Sequence, residues 1–152
     1  MMMIARSAEY KDVLKTVKGR KVSVWTCNTC AKLCNGVGGR EAADRLAEKL
    51  RSDGVNVTSS ASVSAACLMS KVNAKAADVT DADVIISLTC DVGVACAARA
   101  FRKDIVAPLI TLGSGFVDAD GTLIVTSCDG AKVPAALKDA AKEKGMSVSP
   151  LV

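Results

Sequence analysis

Cys27, Cys30 and Cys34 stand at C-x-x-C-x-x-x-C spacing within Cys27-Asn28-Thr29-Cys30-Ala31-Lys32-Leu33-Cys34-Asn35-Gly36-Val37-Gly38-Gly39. Three thiolates on one short loop can hold one face of a metal ion or an iron–sulfur cluster. A cluster takes four ligands in all, so the fourth has to come from elsewhere. The chain offers Cys67, Cys90, Cys96 and Cys128. Gly36, Gly38 and Gly39 follow the last cysteine of the motif. Glycines there let the backbone run close to a metal site and donate N–H groups to sulfur. The other reading is a phosphate cradle at a helix N-terminus, but both the G-x-G-x-x-G fingerprint and the P-loop lysine are missing.

The rest of the composition narrows the chemistry. The chain has no histidine, which removes Ser-His-Asp and Cys-His catalysis, Cys/His zinc fingers and a His-liganded haem. Any metal is then held mainly by sulfur. Only Tyr10, Trp25, Phe101 and Phe116 are aromatic, too few for a module that stacks nucleic-acid bases. The formal charge of +4 is mild, and its one local excess, around Lys15, Lys18, Arg20 and Lys21, reads as a solvated face. Seven cysteines with no export-signal pattern at the start point to a reducing cytoplasm and not to a disulfide framework. No window approaches the ~20 apolar residues of a membrane span. The expectation is a soluble cytoplasmic protein.

A single domain over 1–152 is expected, with a leading helix over about 7–18 and a core over about 21–145. The leading helix carries Val13, Leu14 and Val17, with Ser7 as its cap. A first strand runs from Lys21 to Thr26, then the cysteine loop, then a helix opened by Gly38-Gly39 and stopped by Asp53-Gly54. Val55–Thr58 reads as a short strand and Ser59–Ser64 as a loop. A helix over Ala65–Ala77 would place Cys67 in its first turn, where the helix dipole favours a thiolate. Val84-Ile85-Ile86 reads as a strand buried on both faces, ending at Cys90, with a helix after it to Arg102. Ile105–Leu112 reads as a fourth strand interrupted near Pro108, Phe116–Thr126 as a hairpin, and Val133–Lys144 as a closing helix.

Strands alternating with helices predict an α/β fold: a doubly wound, mostly parallel sheet of Rossmann or flavodoxin type, with a C-terminal β-hairpin and helix. Ligands of such sheets bind beyond the carboxyl ends of the strands, where strand order reverses. In the common 2-1-3-4 order, Cys27, Cys30, Cys34, Cys67 and Cys90 all reach that edge. Cys96, inside a helix, reads as a packing residue. Cys128, at the end of the hairpin, is left open.

The motif Cys-x-x-Cys-x-x-x-Cys-Asn-Gly-x-Gly-Gly-x-Glu (Cys27 to Glu41), with Leu-Thr-Cys-Asp-x-Gly-Val (Leu88 to Val94) and a cysteine between them, resembles the methylenetetrahydrofolate reductase C-terminal domain family. That family includes the small cysteine-rich subunit of two-subunit reductases of anaerobic bacteria. The likeness covers roughly Val22 to Leu112. It implies an accessory subunit in one-carbon metabolism that carries an iron–sulfur centre, taken here as [4Fe–4S], and passes electrons beside a flavin-bearing barrel subunit. An electron-donor protein would complete the set of partners. It carries the family's cysteines onto Cys27, Cys30, Cys34, Cys67 and Cys90. The chain is too short to contain the barrel itself, so catalysis would belong to the partner. Three other functions compete: a structural four-cysteine zinc domain, a zinc-thiolate methyl-transfer site, and a thiol enzyme using Cys27-x-x-Cys30 as a redox pair.

Overall fold

A computed structural model describes residues 2–128, 131–132 and 151–152. Its centre is a parallel sheet of β2 (Lys21–Cys27), β3 (Asn56–Val63), β4 (Val84–Leu88) and β5 (Asp104–Val106), in spatial order β3-β2-β4-β5. In chain order that is 2-1-3-4, as the alternation of elements predicts. β4 is buried along its whole length and β2 from Val22 to Cys27. Their apolar runs have no polar face because both faces are covered. The helices α3 (Arg40–Ser52) and α5 (Asp91–Phe101) cover them. α3 buries Ala42, Ala43, Leu46, Ala47 and Leu50. Small residues on this helix let it lie close to the sheet. Trp25 is fully buried and meets the Phe101 ring edge-on, centroids 5.0 Å apart at 84°.

A second, antiparallel sheet is formed by β1 (Met2–Ser7), β6 (Leu109–Val117), β7 (Leu123–Cys128) and the short β8 (Ala131–Lys132), in the order β1-β6-β7-β8. The hairpin over Phe116–Thr126 is present: β6 and β7 pair with Phe116 opposite Ile124, and the turn closes with Asp118 N–H on Thr122 C=O at 2.8 Å. Ile4, Ala5 and Leu109 of this sheet belong to the same buried cluster as the parallel sheet.

The structure corrects four sequence expectations. The leading helix is shorter, α1 (Tyr10–Val17), and Ser7 does not cap it. Residues before it form β1, whose partner β6 lies about a hundred residues away in sequence; strand formation there is a tertiary effect that local propensity does not carry. The serine-rich stretch is strand, not loop. β3 is an edge strand whose hydroxyls find partners: Ser59 Oγ on Ser23 Oγ at 2.6 Å and on Asp78 C=O at 2.8 Å, Ser60 Oγ on Asp44 Oδ1 at 2.9 Å. The helix over Ala65–Ala77 shrinks to α4 (Met69–Ala74) and a 3₁₀ turn over Ala76–Val79. The strand around Pro108 is two strands, β5 and β6, in different sheets, because proline lacks the N–H to continue a ladder. One helical turn, α2 (Cys30–Leu33), lies inside the cysteine loop. The closing helix expected over Val133–Lys144 falls outside the described residues. Among those described, no helix is long and apolar enough to cross a membrane.

Ile86, fully buried at the middle of β4, and Ile110, 42% exposed on β6, test this architecture with one substitution. Ile86→Ala is expected to cost about 2–5 kcal/mol in urea unfolding, and Ile110→Ala about 1 kcal/mol or less. Equal losses would contradict the assignment of β4 to the buried centre.

Candidate metal centre

The connections that leave the carboxyl ends of β2, β3 and β4 each carry a cysteine. β2 ends at Cys27, which is nearly buried. Its sulfur accepts the Ala66 N–H at 3.4 Å and lies 3.9 Å from Ser64 C=O, in the connection after β3. The chain then turns through α2. Cys34 N–H bonds Cys30 C=O and Gly36 N–H bonds Lys32 C=O, and Asn35 and Gly36 take positive φ of 48° and 69° to end the helix. A positive φ suits Asn and Gly, so the Asn35-Gly36 pair fits this reversal. Asn28 closes the far side of the loop, its Oδ1 accepting the Arg40 N–H at 3.0 Å, the first amide of α3.

Cys34 is fully buried under β1: its thiol donates to Met3 C=O at 3.3 Å and accepts the Ala5 N–H. Cys90 sits between β4 and α5 at the N-cap position, half-buried, with the Gly93 and Val92 N–H groups directed at its sulfur. Cys30, at the start of α2, is also half-buried. Burial raises the pKa of Cys34 above the ordinary thiol range; the Ala5 N–H opposes this, and negative charge on Cys30 and Cys90 adds to it. Burial also raises Cys90, against the two helix amides, with Cys30 and Asp91 adding to the rise. Charge on Cys30 is thus felt at both Cys34 and Cys90, and charge on Cys90 at Cys34.

Cys67 is placed differently from the expectation. It precedes α4 instead of lying in its first turn, and it is exposed. Cys96 lies inside α5, partly buried against the core, and lines an apolar hollow of about 510 Å³ with Met69, Val92, Ala95 and Arg99. That agrees with a packing role. Cys128 ends β7, and its side chain is outside the described residues.

The glycines also act differently from the expectation. Their N–H groups are taken by oxygen, not sulfur: Gly36 by Lys32 C=O, Gly38 by Ala31 C=O at 3.0 Å, Gly39 by Thr26 Oγ1 at 2.7 Å. Gly38 is needed for close packing, since a Cβ there would lie 2.5 Å from Ala31 Cβ and 2.8 Å from Leu88 C=O. The amides that do reach sulfur come from Ala5, Ala66, Val92 and Gly93. Only the last two could be read from sequence, as the first turn of a helix following a strand. Gly36, Gly38 and Gly39 also line a cavity of about 400 Å³ with Lys32, Arg40 and Arg45.

No protein-family model, curated protein or solved structure matches this chain. The site is judged on its own chemistry.

Among the described residues no three Cys, Asp or Glu side chains form a group that could hold a metal ion. Cys30, Cys34 and Cys90 are neighbours without being a closed ligand set. Their chemistry is of the class that iron–sulfur clusters take as ligands. They are all sulfur and leave one edge of the sheet, and backbone N–H groups reach the sulfurs of Cys34 and Cys90, and of Cys27 beside them. A cluster also spreads its ligands further apart than a single ion does.

Burial leaves Cys34 and Cys90 protonated at neutral pH, and only the thiolate is nucleophilic. At pH 7, iodoacetamide should therefore modify exposed Cys67 faster than Cys34 or Cys90. Reaction of Cys34 and Cys90 should rise as pH climbs past the ordinary thiol range. Peptide mass spectrometry over a pH series reads both. Equal rates at all three cysteines at pH 7 would contradict the burial described.

Proposed function

We propose that the domain binds an iron–sulfur cluster, taken as [4Fe–4S] from the motif resemblance, and serves as an accessory subunit in electron transfer. The convergence of Cys30, Cys34 and Cys90 at the carboxyl edge carries this reading. Those three residues would hold three corners, and the fourth ligand is Cys27 or Cys67, both on connections beside Cys90. Such a cluster supplies one-electron transfer at a potential set by the hydrogen bonds and burial around its sulfurs. The chain's own residues provide that setting. β1 shields Cys34 and gives it the Ala5 N–H; the first turn of α5 gives Cys90 two amides. Raised thiol pKa values mean that loading releases protons and is favoured as pH rises.

The finer fold reading belongs with this function. α3 packs on β2 and β3 while α5 packs with β4 and β5. With right-handed crossovers, the reversal of strand order at β2 supports the doubly wound reading, with its switch point at the cysteines.

The partner rests on the motif resemblance: a flavin-bearing methylenetetrahydrofolate reductase barrel subunit, in the cytoplasm, supplied with electrons by a donor protein. Leu33, Leu68 and Val92 support an interface at this edge. All three are large, apolar and about half exposed, and each lies next to or two residues from a cysteine of the site. Exposed apolar groups gathered at a functional edge fit a docking surface.

Single substitutions to alanine test the reading in anaerobically reconstituted protein. Cys30→Ala, Cys34→Ala and Cys90→Ala are each expected to abolish bound iron and sulfide, while Cys96→Ala retains both. The pair Cys27→Ala and Cys67→Ala identifies the fourth ligand as the one that behaves like Cys90→Ala. Unchanged iron and sulfide in Cys90→Ala would contradict the proposed centre.

A further inference from the structure

We propose that the Thr26 hydroxyl is the positioning group that sets the Cys30–Cys34 connection against Cys90. The inference rests on the metal-centre reading and adds to it a residue outside the ligand set. Thr26 is fully buried one residue before Cys27. Its Oγ1 accepts the Gly39 N–H at 2.7 Å and donates to Leu88 C=O at 3.0 Å. Gly39 is where the cysteine loop closes onto α3, and Leu88 is two residues before Cys90. One hydroxyl therefore joins both cysteine-bearing connections.

The position matters because the backbone ladder stops there. Thr26 opposite Leu88 is the last register pair between β2 and β4. Beyond it the two chains leave the sheet, and the side chain continues the tie that the ladder no longer provides. Gly38 fills the same crevice. A Cβ there would fall 3.1 Å from Thr26 Oγ1 as well as against Ala31 and Leu88, so the loop is seated on the hydroxyl with no slack. A buried threonine that only satisfied itself would bond within its own strand. This one bridges two separate segments, and valine in its place would leave a buried donor and a buried acceptor unpaired.

The test compares Thr26→Val, Thr26→Ser and wild type by two readouts. The first needs no metal: amide hydrogen exchange in the apo protein. Thr26→Val is expected to speed exchange on the order of tenfold at Gly39 and also across Thr89–Asp91, leaving the interiors of β2 and β4 protected, and Thr26→Ser is expected to restore wild-type exchange. The second is the low-temperature electron paramagnetic resonance spectrum after reconstitution with iron and sulfide and reduction. Its g-values are expected to shift in Thr26→Val and return in Thr26→Ser. If Thr26→Val does not fold, Thr26→Ala takes its place, since its smaller side chain leaves room for a water. Altered exchange in both connections in a protein that takes up no cluster would support the clamp and refute the cluster. Wild-type exchange at Thr89–Asp91 together with an unshifted spectrum in Thr26→Val would overturn the clamp while leaving the cluster intact.

Discussion

The parallel pairing of β2 with β4, Val22 to Thr26 beside Val84 to Leu88, sets two chain connections side by side at one end of the sheet. One connection carries Cys27, Cys30 and Cys34, and the other carries Cys90. The pairing is strong because it is dry: apart from Ser23, Thr26 and Ser87, the paired residues are Val, Ile, Leu and Trp, all fully buried or nearly so. Parallel strands with covered faces hold their register through packing as well as through hydrogen bonds. The polar exceptions are satisfied, Ser23 by Ser59, Thr26 by Leu88 and Gly39, Ser87 by Thr89. Strand order then decides which loops meet, and loop composition decides what chemistry they bring.

That chemistry is defined by protected sulfur. Cys34 lies under β1, Cys27 against the connection after β3, and Cys90 against the first turn of α5. Each of these sulfurs meets backbone N–H groups from a different element, so the sulfur environment depends on the assembled fold and not on the motif alone. Burial favours neutral thiols, whereas nearby amides favour thiolates. Metal binding would resolve this opposition by replacing the proton with a cation that needs the charged form. The antiparallel sheet, whose strands lie outside the cysteine motif in sequence, covers one of the thiols through its first strand.

Much of this was legible in sequence, for reasons that show where the rest was not. The Val84-Ile85-Ile86 run, the Gly39 entry to α3 and its Asp53-Gly54 exit are local signals, and the structure bears them out. The strand order followed from the alternation of elements. What failed was set by distant partners. Met2–Ser7 becomes a strand only beside β6, and Ser59–Ser62 stays extended because Ser23, Asp44 and Asp78 accept or share its hydroxyl bonds. The same cause explains the site. The spacing of Cys27, Cys30 and Cys34 marks a sulfur loop, but neither the inward turn of Cys34 under β1 nor the exposed place of Cys67 is written in that spacing. The glycines do not serve sulfur as their position after Cys34 suggests. Gly38 packs against Ala31, Leu88 and Thr26, and the Gly39 N–H goes to Thr26 Oγ1.

The most direct test of this account is the metal and sulfide content of the protein purified without oxygen, taken on the same sample as its absorption spectrum. The account predicts a brown protein with about four irons and four sulfides per chain, as a cubane cluster on four thiolates requires. A colourless protein that holds no iron, with its thiols free to titrate or bound to zinc, would contradict it.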